Sequence, residues 1–270
     1  MASSVPFLDT HCHLDQILDR LGVASYSEFR SRFLPADYAG CLTIACDPEA
    51  FEPTKALLEN EVVYASFGVH PHDAEKYTPE VESRLLECLA LPKTLACGEM
   101  GLDYHYDHSP RDVQKRVFAR QIEIAVEAKK PLVIHTREAE ADTLALMRER
   151  VPRDWPVHVH CFTSSGALAE SLLADFSNLC IGFTGIITFK NAADLRETVR
   201  RVPKERILVE TDGPWLAPEP HRGKPAHPGY IPLVLAKLAE LKGVTTDDMT
   251  RITNENAVKI YGFPANLLKA

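Results

Sequence analysis

The chain lacks an apolar run of the roughly 18 residues that a membrane span requires, which argues against a membrane protein. Its first ten residues, MASSVPFLDT, have no basic stretch and no apolar core of about 7–15 residues, so no secretory signal is read there. Cysteine is scarce and odd in number. The seven are scattered without a Cys-x-x-Cys pair, which argues against a disulfide framework and for a reducing compartment. That compartment is expected to be the cytoplasm, with the nucleus also open to a eukaryotic protein. Excess positive charge is missing as well: 30 Lys and Arg stand against 38 Asp and Glu, a net charge of −8. Such a balance excludes a surface that coats itself in nucleic acid, though not a nuclease whose acidic pocket recruits phosphate through metal ions. No Gly-x-Gly-x-x-Gly follows a strand, which disfavours a dinucleotide-binding sheet. Internal repeats, low-complexity tracts and linkers are absent, and nothing points to an obligate protein partner.

What the chain has is alternation. Eight short runs rich in Val, Ile, Leu and small residues read as strands buried on both faces: 5–11, 40–46, 62–69, 94–99, 131–136, 156–160, 179–184 and 207–211. Between them lie helical patterns. Ser109 is expected to cap a helix over 111–129, with Pro110 at its first position and Val113, Val117, Ile124 and Ala128 on one stripe. Residues 229–242 place Ile231, Val234, Leu238 and Leu241 on another, and Gly243 stops it. Weaker helical candidates cover 49–60, 79–91, 138–150, 164–176 and 191–201. Eight strands with helices between them predict an α/β protein, a (β/α)8 TIM barrel forming a single domain over 1–270; the alternative is an open doubly wound sheet.

In such a barrel the active site sits at the C-terminal strand ends. His11 and His13 end the first run, His70 and His72 the third, Glu99 the fourth, His135 the fifth, His160 the sixth and Asp212 the eighth. Seven of the eleven histidines lie in or just after strands, whereas chance would spread them over helices and loops. A lone strand histidine is more often a core residue than a ligand, and His158 is read as barrel filling or as support beneath the site. Asp15 and Asp19 read as local caps, and Asp212 alone could be one. Glu99, however, is a carboxylate after an apolar run and needs a cation or hydrogen bonds to compensate it. Six ligands exceed what one catalytic zinc takes, since that ion keeps an open position. They suit two divalent ions: His11, His13 and Asp212 on the first, His135 and His160 on the second, and Glu99 as the bridge. The mixed nitrogen and oxygen donors suit Zn²⁺ or Mn²⁺, and Mg²⁺ stays open.

The motifs DTHCHLD, GVHPH, GEMGLDYH, IHTREA, HCFTSS and ETDGPWL, in this order and up to about residue 262, resemble the TatD family of metal-dependent deoxyribonucleases. The resemblance implies a TIM barrel of the amidohydrolase superfamily and two divalent ions held by His11, His13, Glu99, His135, His160 and Asp212. It also implies hydrolysis of phosphodiesters, often from the 3′ end of single-stranded DNA. Two stretches depart from the family pattern, and both bear on substrate preference: HRGKPAHPGYIP, 221–232, carries His227-Pro228 where Asn-Glu is usual, and HCFTSS has Ser where Gly is usual.

The expected activity is therefore a two-metal nuclease, a 3′–5′ exonuclease on DNA with single strands preferred and RNA also open. Asp212 would orient a water activated at the ions, with Glu99 bridging. His70, His72 and Arg137 would hold the phosphate, Tyr104 and Trp215 would stack bases, and Arg222 and Lys224 would add phosphate contacts. Each aromatic could instead merely roof the barrel, and Arg137 could merely pair with Glu138 or Glu99. A second reading is an amidohydrolase acting on a cyclic amide, lactone or phosphotriester. Those enzymes commonly bridge their ions with a carbamylated lysine after the fourth strand, where this chain has Glu99 and no lysine nearby. Arg137, Lys190, Arg222 and Lys224 also favour an anionic substrate. A third reading, a non-catalytic interaction module, would be expected to have lost ligands, and all six are present.

Overall fold

The protein is described by a computed structural model covering residues 5–106 and 108–269. Strands β1 Phe7–Cys12, β2 Tyr38–Ala45, β3 Val63–Phe67, β4 Thr94–Asp103, β5 Leu132–Arg137, β6 Val157–Val159, β7 Leu179–Phe183 and β8 Ile207–Val209 pair in chain order, each parallel to the next. All eight predicted runs are found, and they form a (β/α)8 barrel. Closure between β8 and β1 relies on side chains as much as on the ladder. Cys12 and Gly213 make an isolated bridge, Thr10 Oγ1 donates to the Val209 carbonyl at 2.9 Å, and Thr211 Oγ1 donates to Asp9 Oδ2 at 2.6 Å.

Helices fill the crossovers: α1 Leu14–Leu21, α2 Tyr26–Phe33, α3 Phe51–Leu57, α4 Pro79–Leu89, α5 Arg111–Glu127, α6 Glu140–Arg150, α7 Gly166–Asp175, α8 Ala193–Arg201, α9 Ile231–Lys242 and α10 Thr246–Tyr261. Gly243 closes α9 in the left-handed conformation (φ 66°), as its place in the sequence predicts. The reading of α5 needs two corrections. Pro110, not Ser109, occupies the cap position, and the Ser109 hydroxyl instead donates to the His72 carbonyl at 2.8 Å. Val117 and Ile124 are buried as expected, but Val113 and Ala128 only partly; Gln114 and Gln121 take inward places. Each glutamine amide binds one residue's backbone on both sides, Gln114 at Asp103 and Gln121 at Val69. These bonds tie the ends of β4 and β3 to α5.

Helices α1, α2 and α10 were not read from the pattern. A Thr245 cap that accepts from the Asp248 N–H, and Gly262 at φ 71°, bound α10 and were its legible signals. This helix docks beneath the N-terminal strand ends: Asn254 Nδ2 donates to the Pro6 carbonyl, and Asn256 Nδ2 to the carbonyls of Lys204 and Ile207. Its Ile260 and Tyr261, with Phe263, join Leu8, Leu42, Val133 and Leu208 in the apolar filling of the barrel. The larger core lies between the sheet and the helices. Among the described residues, no helix is long and apolar enough to cross a membrane.

Candidate metal centre

Glu99 is not at a strand end. Strand β4 runs on to Asp103, and its register with β5 shifts between Gly98 and Met100, so Glu99 is the extra residue of a bulge. A bulge re-aims a side chain, and this one turns the carboxylate into the barrel mouth. The close approach of β5 needs glycine on either side. Gly98 (φ 133°) and Gly101 (φ 151°) are in a region that side chains avoid, and a Cβ would collide with the carbonyl oxygens of Val133 and His135.

The two oxygens of Glu99 face different partners. Oε2 lies 3.5 Å from His11 Nε2 and 3.9 Å from His13 Nε2, and both imidazole nitrogens are 3.6 Å from Asp212 Oδ1. Oε1 lies 2.7 Å from His160 Nε2, 2.8 Å from His135 Nδ1 and 3.4 Å from His70 Nε2. The six predicted ligands thus converge on one carboxylate, although His13 lies just past β1 and Asp212 three residues past β8. His70, expected as a phosphate contact, also joins Glu99 and His135 in a group whose donor atoms lie within 4.8 Å of one another.

These residues fit divalent metal. Ligands held tetrahedrally at about 2.1 Å from one ion stand about 3.4 Å apart, close to the spacing on the Oε2 side. Both ring nitrogens of His11 and Nδ1 of His160 are buried without a hydrogen-bond partner, a costly state unless something further occupies the space. The charges agree. Burial would raise the Glu99 carboxyl, but the imidazoles of His160, His70, His11 and His135 hold it well below the usual range. Burial would likewise raise Asp212, but the neighbouring imidazoles of His13, His160 and His11 outweigh it and lower it. Burial pushes His11 down to about 3 and His70 to about 4, which keeps those rings neutral.

Asp103 was missed by the motif reading, although it stands in the quoted GLDY. Its Oδ2 lies 3.0 Å from His72 Nε2 and 3.2 Å from His135 Nε2. Burial opposes its charge, yet those two imidazoles hold its carboxyl well below the usual range. Against the pull of burial, Asp103 and Glu99 raise His135 to about 9. A carboxylate behind a ligating histidine fixes the ring and strengthens its basicity.

A cavity of about 720 Å³ opens above Glu99, with His72, Arg137, Tyr106 and Trp215 in its wall. Tyr104 is not among the described wall residues. Its hydroxyl donates to Asp142 at 2.7 Å and the Arg111 guanidinium lies over its ring, whereas Tyr106, which is 45% exposed, stands in the wall. The Arg137 guanidinium sits 5.1 Å from the Tyr106 ring centre, and Glu138 pairs instead with His105. Trp215 meets His13 edge-on at 5.0 Å. Arg222 and Lys224 lie outside the described wall, Arg222 over the Phe189 ring. His227 belongs to the same loop, 221–232, that departs from the family pattern. It is buried against Phe29 and Phe33, and burial pushes it down to about 4.

The family model described as TatD related DNase matches residues 8–262, and the geometry above lies within that span. The chain belongs to the TatD family. Among its TatD-like relatives, the protein named 3'-5' RNA nuclease TATDN2 of Homo sapiens is 40% identical over 268 residues, covering 94% of this chain. The chain spans only 35% of that human protein's length. The metal-dependent hydrolase YcfH of Escherichia coli K12 is 36% identical over 97% of this chain and 98% of its own. Among solved structures, the TatD homologue YJJV of Escherichia coli K12 superposes with a TM-score of 0.84 at 27% identity, covering 96% of this chain and 98% of that one. TatD membership places the chain among metal-dependent hydrolases.

Proposed function

We propose that the chain is a two-metal phosphodiesterase that shortens single-stranded nucleic acid from its 3′ end. The observation that carries this reading is Glu99, whose two oxygens serve two separate sets of donors across one carboxylate. His11, His13 and Asp212 would hold one ion, and His135 and His160, with His70 at hand, the other. When bound, Zn²⁺, Mn²⁺ or Mg²⁺ supplies Lewis acidity and neutralises charge on the phosphate oxygens.

The protein's own groups do the rest. Asp212, ionised at the cavity floor, takes the proton of the attacking water. His72 and Arg137 in the wall hold phosphate oxygens. Tyr106 and Trp215, both exposed at the mouth, offer faces to unstacked bases, which favours a single strand. Arg222 and Lys224 lie beyond the wall and would meet only a longer strand. The family's description favours DNA, and the human relative's name makes RNA the competing substrate.

Protein reconstituted with each ion, incubated with end-labelled single- and double-stranded DNA and RNA, tests the reading. A ladder shortened from the 3′ end of single-stranded DNA is expected; the same ladder on RNA alone would move the substrate to RNA. No cleavage with any ion, alongside hydrolysis of a lactone or phosphotriester, would overturn the nuclease in favour of an amidohydrolase.

A further inference from the structure

Beneath the ligands the barrel holds a second polar layer. His158 on β6 and Glu210 just past β8 are both wholly buried. His158 Nδ1 lies 2.5 Å from the Tyr261 hydroxyl on α10, and its Nε2 lies 2.9 Å from Glu210 Oε2, out of line for a hydrogen bond. The other oxygen, Oε1, accepts the backbone N–H of Cys161, the residue after His160. Space for the pair comes from Gly182 on β7. A Cβ there would collide with His158 Nε2 and stand 2.6 Å from Glu210 Oε2.

This layer touches the ligands from below. Donor atoms of His11, His160 and Glu210 all lie within 4.8 Å of one another. An imidazole that ligates through one nitrogen carries its proton on the other, and that N–H needs an acceptor. Neither His11 Nδ1 nor His160 Nδ1 has a hydrogen-bond partner, Glu210 Oε2 has none either, and a Glu210 oxygen lies within 4.8 Å of a ring nitrogen of each histidine. We propose that Glu210, braced by His158 and Tyr261, is a positioning residue that fixes the tautomer and ring plane of His11 and His160. The proposal rests on the metal reading above and gives the buried layer a task. It also couples α10 to the centre, so that the helix beneath the barrel steadies ligands at its mouth. A third cation held by His11, His160 and Glu210 is the competing account. It is disfavoured because Glu210 Oε1 is already engaged by Cys161, and because His11 and His160 would each have to bridge two ions.

The test uses the full chain carrying Glu210→Gln or Tyr261→Phe. Zn²⁺ affinity is read by competition with a chromogenic chelator, the visible spectrum is read on the Co²⁺-loaded protein, and bound metal is counted by elemental analysis. Glu210→Gln is expected to weaken Zn²⁺ binding about 10–100-fold and to shift the Co²⁺ bands. Tyr261→Phe should act in the same direction by a smaller factor, and it carries the test if Glu210→Gln does not fold. Affinity and spectrum that match the parent in both variants, with only a lower melting temperature, would reduce the layer to packing and overturn the proposal. Three ions in the parent falling to two in Glu210→Gln would overturn it in favour of a third cation. These readouts need no substrate. An inactive parent that shows the expected affinity changes therefore supports the positioning role and overturns only the nuclease reading.

Discussion

On the Oε2 side of Glu99, the nitrogens of His11 and His13 stand 3.5–3.9 Å from the carboxylate oxygens around them; on the Oε1 side, His135 and His160 close to 2.8 and 2.7 Å. The first side draws on β1 and the chain after β8, the two edges whose junction closes the barrel. Its rings are set by packing: His11 stacks on His160 with centres 3.9 Å apart and makes no side-chain hydrogen bond. The second side draws on neighbouring strands: His135 meets His160 through Nδ1 and Asp103 through Nε2, while Nδ1 of His160 stays unpartnered. One half stands at ligand spacing, and the other must exchange hydrogen bonds for a cation. The difference reaches the rim. Trp215 leans on His13, whereas Tyr106 meets His72 edge-on beneath the Arg137 guanidinium.

Removing the shared element should have the largest effect. Glu99→Ala is expected to abolish turnover and to lower metal content, because both halves lose a ligand together. Elemental analysis with an activity assay reads this, and full activity at unchanged stoichiometry would remove the bridge. The fold should survive, since groups at this barrel end serve function more than stability.

Each half can then be broken alone. Asp212→Asn should stop turnover while single-stranded DNA still binds, because the amide keeps an acceptor but takes no proton from water. Loss of both would make Asp212 a builder of the centre instead. Asp103→Asn should cost about 10–100-fold in Zn²⁺ affinity or rate, since it acts through His135. A parent-like Asp103→Asn protein would dissolve the proposed contrast between a packed half and a hydrogen-bonded half.

The rims supply a finer contrast. Tyr106→Ala should raise KM for an oligonucleotide about tenfold, the effect of roughly 1.4 kcal/mol of lost stacking, while a small chromogenic phosphodiester is unaffected. Tyr104→Ala should leave KM alone; the reverse outcome would return the stacking role to Tyr104. On the β8 side, joint replacement of Arg222 and Lys224 by Ala should lower the slope of log affinity against log salt by about 1.4, or about 0.7 for each phosphate of a single strand that the protein no longer neutralises. Identical slopes on a ten-nucleotide strand would make the loop plain surface.

Acid should separate this β8 loop from the centre. His227 is neutral in the fold, with its pKa lowered from 6.5 to about 4 by burial, so between those values the unfolded chain binds a proton that the folded one refuses. Stability from this group is full above about pH 6.5 and falls as pH drops toward 4. At pH 5 the loss should approach 2 kcal/mol, at about 1.4 kcal/mol per unit. A His227→Gln protein should therefore lose less melting temperature than the parent between pH 7 and pH 5, and equal losses would show that other groups govern the acid response.

Much of this molecule was legible in one dimension. A buried parallel strand must be apolar along its whole length, so eight such runs announced the barrel, and histidines and carboxylates in or just past strands marked one end of it as the candidate site. Residues such as His11, His13 and Asp212 were visible because a strand, or the turn just past it, gives each a direction. Other facts exist only in three dimensions. Tyr104 and Tyr106 stand two apart in the sequence, and only the path of the loop decides that one meets Asp142 while the other lines the cavity. Asp103 reads as one more loop acid until β4 extends through a bulge and brings it against His135. His158 reads as support beneath the site and Glu210 opens the motif ETDGPWL, but nothing local joins either to Tyr261: 103 positions separate His158 from its tyrosine. Local sequence determines which way a backbone runs and which residues it offers, because those follow from neighbouring side chains. Which offered groups meet depends on closing the sheet upon itself, and that pairing is set by packing between parts of the chain remote in sequence.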